Sequence, residues 1–135
     1  MQLAAYCGLR AEEIQKLRPE HVKKDHLWLA FEQKAGVSIE SVPLPESFKL
    51  TSDMLPVGIS HRMISRYFRR ALAEIGRDDL RFHDLRHAYG SWLVQNGVDL
   101  YLTGKLLRHK SLASTKRYAH FADEQKKDAV KKAFG

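Results

Sequence analysis

HDLRHAYGSWLVQNGVDLYLTGKLLRHKSLASTKRY, residues 83–118, decides how the rest of the chain is read. Leu85, Ala88, Tyr89, Trp92 and Leu93 recur at helical spacing, which predicts a helix opening at His83, ending near Gly97 and turning this stripe to a core. Asp99 is placed to cap a second helix with Leu102, Leu106 and Leu107 inward, and Ser111 to cap a short third one leading to Tyr118. Polar residues keep fixed spacings across the same stretch. His83 and Arg86 stand three apart, His87 follows at once, and Tyr118 lies nine positions after His109.

Upstream the pattern stays mostly helical. Leu3, Ala4 and Cys7 with the closing Gly8 describe a short helix, and Leu9, Ile14 and Leu17 another that Pro19 stops, with Arg10 at the junction. Leu27–Phe31 and Val37–Val42 are short, alternating or β-branched runs with Gly36 in the turn, which predicts a β-hairpin with Lys34 near its tip. Residues 43–59 carry three prolines and little periodicity and read as a loop. Ser60 then caps a helix with Met63, Ile64, Tyr67, Phe68, Ala71, Leu72 and Ile75 on one face, ended by Gly76. Arg62, Arg66, Arg69 and Arg70 lie largely off that face, where they form either a solvated surface or a row of phosphate contacts. Residues 123–134 predict a lysine-rich amphipathic helix with Ala129, Val130, Ala133 and Phe134 on one side, too weakly apolar to persist without a partner surface. The expected architecture is mostly α with one small antiparallel β-hairpin. A chain of 135 residues is the size of a single domain, 1–135, with residues 119–135 as its tail.

Twenty-three Lys and Arg against sixteen Asp and Glu leave a net charge of +7, which favours a polyanionic partner. The single cysteine, Cys7, cannot form an intramolecular disulfide, so a reducing cytoplasm fits. No apolar run approaches the roughly 18 residues of a membrane span, and the first residues lack the pattern of a signal peptide. Gln2–Tyr6 already reads as helix with no capping residue before it, as if the sequence began inside a domain.

His83 and Arg86 at the start of one helix project to one side, roughly opposite Leu85 and Trp92. The helix N-terminus adds amide donors and the positive end of the dipole, which suits a phosphate. Taken singly, His83 serves equally as a capping or surface histidine, Arg86 as a structural ion pair with Asp84 or Glu13, and Tyr118 as a half-buried aromatic. Metal-free cleavage of a phosphodiester needs a nucleophile, charge stabilisation on the nonbridging oxygens and a proton donor for the leaving oxygen. Tyr, Arg and Lys or His supply these.

Taken in order, these residues resemble the tyrosine recombinase, or phage integrase, family, and the resemblance covers nearly the whole chain as the family's catalytic domain. Cys7-Gly8-Leu9-Arg10 with Glu13, Ile14 and Leu17 is similar to the box of the first arginine; Phe31–Gly36 followed by Val42-Pro43-Leu44 is similar to the hairpin that carries the lysine. His83-Asp84-Leu85-Arg86, Leu106–Ser111 around His109, and Thr115–His120 around Tyr118 are similar to the remaining boxes. The resemblance implies Tyr118 as nucleophile, Arg10 and Arg86 as phosphate clamps, Lys34 as acid for the 5′ oxygen, His83 as proton-transfer aid and His109 as a phosphate ligand. It implies cleavage and rejoining through a 3′-phosphotyrosine with no metal and no cofactor, on double-stranded DNA, by a protein that is a tetramer there and a monomer or weak dimer otherwise. It also implies a bacterial or phage-encoded cytoplasmic protein whose N-terminal arm or core-binding domain is missing here. Two positions depart from the family pattern. Arg108 stands where glycine is usual, altering a tight turn or adding a DNA contact, and Glu12 replaces a small residue beside Arg10.

Other readings compete with this one. A noncatalytic helical DNA-binding module explains the charge and helicity but not the ordered set of six residues. A type IB topoisomerase shares the Tyr, Arg and Lys chemistry without pairing two sites. A metal site at His83 and His87 lacks the glutamate of a His-Glu-x-x-His motif.

Overall fold

A computed structural model describes residues 1–33 and 36–135, which form two compact units, 1–86 and 87–135. The fold is mostly helical with one two-stranded antiparallel sheet, as expected.

In the first unit α1, Gln2–Cys7, is closed by Gly8, whose φ of 63° is the left-handed turn that glycine adopts without a Cβ clash. Leu3, Ala4 and Cys7 are buried. The chain reverses through Leu9 into α2, Ala11–Lys16, with Arg10 as its N-cap. Strands β1, His26–Gln33, and β2, Gly36–Pro43, pair from His26 opposite Pro43 to Gln33 opposite Gly36. Leu27, Leu29 and Val42 enter the core, whereas Val37 and Ile39 near the turn are exposed, so the hairpin reaches out beyond the packed interior. Lys34, expected at the tip, lies outside the described residues.

Helix α3, His61–Glu74, starts where Ser60 Oγ accepts the Met63 N–H at 3.2 Å. Its buried stripe is narrower than the sequence pattern predicts. Ile64 and Phe68 are buried and Leu72 half-buried, but Tyr67 is 47% and Ile75 71% exposed. Phe68 meets Phe82 edge-on at 5.5 Å, and this pair anchors the helix.

Helix α4, His83–Gln95, begins in the first unit and supplies the first element of the second. Its buried positions are Arg86, Gly90 and Val94, a run of i, i+4 and i+8, and not the expected Ala88 and Trp92, which are exposed. In the second unit α5, Leu100–Leu106, is capped by Asp99, which accepts the Leu102 N–H at 2.8 Å. Thr103, Gly104 and Leu107 face inward, while Leu102, expected inside, is 47% exposed. Short 3-10 turns at Leu112–Ser114 and Lys116–Ala122 lead into α6, Asp123–Phe134. The Gln125 amide donates to the Val94 carbonyl, but Val130 and Phe134 on the same helix are exposed. No described helix is long and apolar enough to cross a membrane.

Candidate active site

The first unit assembles a cation-lined cavity. Arg10 begins α2 with its N–H donated to Glu13 Oε1 at 2.7 Å, which fixes the backbone from which its side chain leaves. That side chain and His83, from sequence positions far apart, line one cavity of about 640 Å³ together with Arg69 from α3 and Arg81. Glu12 also lines it, so the departure noted in the sequence sets one carboxylate among three guanidinium groups. His61 also lines the cavity. Its N–H donates to Gln15 Oε1 at 2.9 Å, and its Nε2 is 3.9 Å from Glu12 Oε1.

Arg86 does not line the cavity. Its guanidinium is 2% exposed, donates from Nη1 to the Gly8 carbonyl at 2.7 Å and stands 3.8 Å from Glu13 Oε1. The Glu13 carboxylate, itself 7% exposed, therefore meets both the Arg10 backbone and the Arg86 side chain. Of the two ion pairs that the sequence offers Arg86, the one with Glu13 forms. This buried pair stiffens the turn that carries Arg10.

A second groove of about 530 Å³ runs along α3 and is lined by Arg62, Arg66, Arg69 and Arg70, the four arginines that the sequence sets off the apolar face. His61, Ser65 and Arg69 border both cavities. The two are thus neighbours on one helix. Arg81 and His61 escaped the sequence reading because neither belongs to a spaced motif. The packing of the α3 start against α2 brings His61 to Arg10, and the segment leading into α4 brings Arg81 to the same cavity.

In the second unit Tyr118 is 3% exposed and packs with Val94 and Leu107. Its ring fills the space beside Gly90, where a Cβ would stand 2.7 Å from Tyr118 Cζ. The hydroxyl lies 3.0 Å from His87 Nδ1, and Arg117 Nη1 lies 3.0 Å from Nε2 of the same imidazole. His109 Nδ1 is 2.8 Å from the hydroxyl of Thr115, a fully buried residue, and both residues line a small cavity of about 110 Å³ with Lys105, Lys110 and Ser111. Gly104 makes room for that hydroxyl, since a Cβ there would meet it at 2.6 Å. Arg108, where a glycine was anticipated, takes the left-handed φ of 58° and donates to the Leu106 carbonyl at 2.8 Å, a bond with which any DNA contact of its Nη1 competes. Thr115, Arg117 and Gly104 carried no recognisable chemical signal in the sequence. Among the described residues no group of three or more His, Cys, Asp or Glu is arranged to hold a metal ion.

Comparison with known proteins adds to this geometry. The phage integrase family profile matches residues 1–125. A tyrosine recombinase of Thermosipho africanus is 32% identical over 147 residues, covering 98% of this chain and 52% of its own. The integrase of Salmonella phage P22 is 46% identical over 55 residues, 41% of this chain and 14% of its own. Among solved structures, XerA recombinase matches with a TM-score of 0.72 at 21% identity, covering 99% of this chain and 56% of its own. The catalytic domain of bacteriophage HP1 integrase gives 0.70 at 23% identity, covering 96% and 77%. The structural likenesses establish a shared fold. The chain spans about half, 52%, of the length of the Thermosipho relative.

Proposed function

The chain belongs to the phage integrase family, and from that premise we propose that it carries the strand-transfer chemistry of a tyrosine-type site-specific DNA recombinase. The observation that supports this reading best is the cavity where Arg10 and His83 converge with Arg69 and Arg81, a setting for a dianionic phosphorane-like transition state. Tyr118 Oη attacks the phosphorus of one strand. The Tyr118 O–P bond forms, the P–O5′ bond breaks, and a 3′-phosphotyrosine and a free 5′-hydroxyl result. Arg10 offsets charge on the nonbridging oxygens, Arg86 does so by giving up its Gly8 and Glu13 contacts to the phosphate, and His109 donates to one of those oxygens. The phenolic proton passes to solvent with His83 assisting its transfer, and Lys34 supplies the proton to the leaving oxygen. A 5′-hydroxyl of a partner strand then attacks the adduct and releases Tyr118. Because the adduct keeps the energy of the phosphodiester, neither a nucleotide nor a metal enters the balance.

The proposed substrate is double-stranded DNA, with Arg62, Arg66 and Arg70 along the α3 groove binding phosphates next to the cleaved one. Strand exchange requires several protomers on two sites, with a tetramer as the working assembly. The exposed Val130 and Phe134 of α6 suit a protomer contact. Incubation with a nicked suicide duplex is expected to trap a covalent protein–DNA adduct that Tyr118→Phe abolishes while DNA binding persists. Binding without any adduct from the unaltered chain would favour a noncatalytic binding module. Replacing Arg70 by Ala should reduce the slope of log affinity against log salt by about 0.9 if its phosphate contact is made. An unchanged slope would remove Arg70 from the interface.

A further inference from the structure

The environment of Tyr118 fixes more than the position of its ring. Arg117 Nη1 lies 3.0 Å from His87 Nε2, and a guanidinium can only donate. Nε2 must then offer its lone pair, and the proton of the neutral imidazole resides on Nδ1. Nδ1 is the atom 3.0 Å from the Tyr118 hydroxyl, so the histidine donates and the phenolic oxygen accepts. The opposite tautomer would set a guanidinium N–H against an imidazole N–H.

We infer that His87 is a positioning residue for Tyr118, held by Arg117 in the Nδ1–H tautomer so that it donates a hydrogen bond to the phenolic oxygen. The inference rests on the reading of Tyr118 as the nucleophile. Its chemical consequence is directional. With one lone pair of the oxygen occupied by the His87 N–H, the phenol's own proton points away from the imidazole. As attack begins and negative charge grows on the oxygen, the Nδ1–H bond becomes charge-assisted and strengthens. Arg117 adds a cation 5.9 Å from the centre of the Tyr118 ring, of the sign that favours that charge. The ring is also confined by Gly90, Leu107 and Val94, so the hydroxyl and not the ring body is the part that His87 steers.

The tautomer is readable without turnover. Long-range ¹⁵N–¹H correlation spectra of the full chain, with His87 identified by comparison with His87→Asn, are expected to show the proton of His87 on Nδ1. Arg117→Leu should move the population toward the Nε2–H form. A wild-type His87 protonated on Nε2 would overturn the inference. The activity arm uses geometry. An asparagine amide reaches where Nδ1 lies and a glutamine amide where Nε2 lies, so His87→Asn should retain most of the rate of adduct formation on nicked DNA. His87→Gln and His87→Ala should lose roughly 100-fold, the scale of a misplaced reacting group. Equal rates for the Asn and Gln variants, or a faster His87→Ala, would refute a donor role. Failure of the underlying nucleophile reading shows differently, as an adduct that persists in Tyr118→Phe whatever the tautomer of His87.

Discussion

In residues 1–86 the candidate site residues are charged side chains around an open cavity, with a buried ion pair in the same unit, whereas in residues 87–135 the hydroxyl proposed as nucleophile belongs to a ring that is part of the core. Arg10, Arg69, Arg81 and His83 meet solvent, and an anion can enter among them without displacing packed atoms. Tyr118 is placed by apolar contact, and only its hydroxyl is directed by a polar partner. Charge in the first unit is therefore organised by hydrogen bonds, and the proposed nucleophile in the second by shape. Substitutions that damage each unit should do so by different physics.

The largest effect is expected at Glu13. Its carboxylate accepts the Arg10 N–H and lies 3.8 Å from a guanidinium that is 2% exposed. Glu13→Ala leaves that cation buried without its counter-ion and should cost about 3–5 kcal/mol in urea unfolding. A second change, Arg86→Met, should recover much of that loss by removing the stranded charge. A loss below about 1 kcal/mol for Glu13→Ala would mean that Arg86 does not depend on this carboxylate.

Gly90→Ala tests shape in the second unit. In a helix with free space this change gains about 1 kcal/mol from backbone entropy. Here the new methyl would stand 2.7 Å from Tyr118 Cζ and 3.0 Å from Leu107 Cδ1, and overpacking of that kind costs about 1–3 kcal/mol. The clash should win, so the variant is expected to be less stable than the parent in the same titration. Adduct formation should fall further than the stability loss explains, because the ring can yield only by moving. A stabilised variant with full adduct yield would show that Tyr118 is not held by this contact.

The contrast also explains what could be read from the sequence. Caps at Ser60, Asp99 and Ser111, and the left-handed Gly8, depend on a few adjacent residues, and all four form as expected. The hairpin was equally local, because apolar alternation before Gly36 and β-branched alternation after it leave few other pairings. Facing was less legible. Trp92 satisfies the helical stripe of α4 yet is 68% exposed, whereas Gly90 gives no hydrophobic signal and is buried because Tyr118 needs its space. Leu102 and Tyr67 were misread for the same reason, since periodicity identifies an apolar stripe but the neighbouring element decides which edge of it is covered. The Glu13–Arg86 pair was available as one of two alternatives, and only the close approach of α2 and Gly8 to Arg86 selects it. Thr115, Arg81 and Arg117 acquire roles solely through distances that no spacing in the chain encodes.

The smallest expected effect lies at Thr103 in α5, and it asks whether shape alone governs the interior of the second unit. Its side chain is fully buried, and its Oγ1 has no hydrogen-bond partner among the described residues, although buried hydroxyls are ordinarily paired. A hydroxyl taken from water without a partner costs about 1–3 kcal/mol, so Thr103→Val, which keeps the branched shape and replaces oxygen with carbon, should stabilise by about 1 kcal/mol. For a domain of this size that corresponds to a rise of roughly 3–5 °C in Tm by calorimetry. Thr103→Ser separates the two atoms on Cβ. It keeps the unpaired hydroxyl and deletes the methyl, and should destabilise by about 1 kcal/mol. If valine instead lowers Tm, a bound water satisfies the hydroxyl, and the interior around α5 is organised by polar contacts in the manner of the first unit.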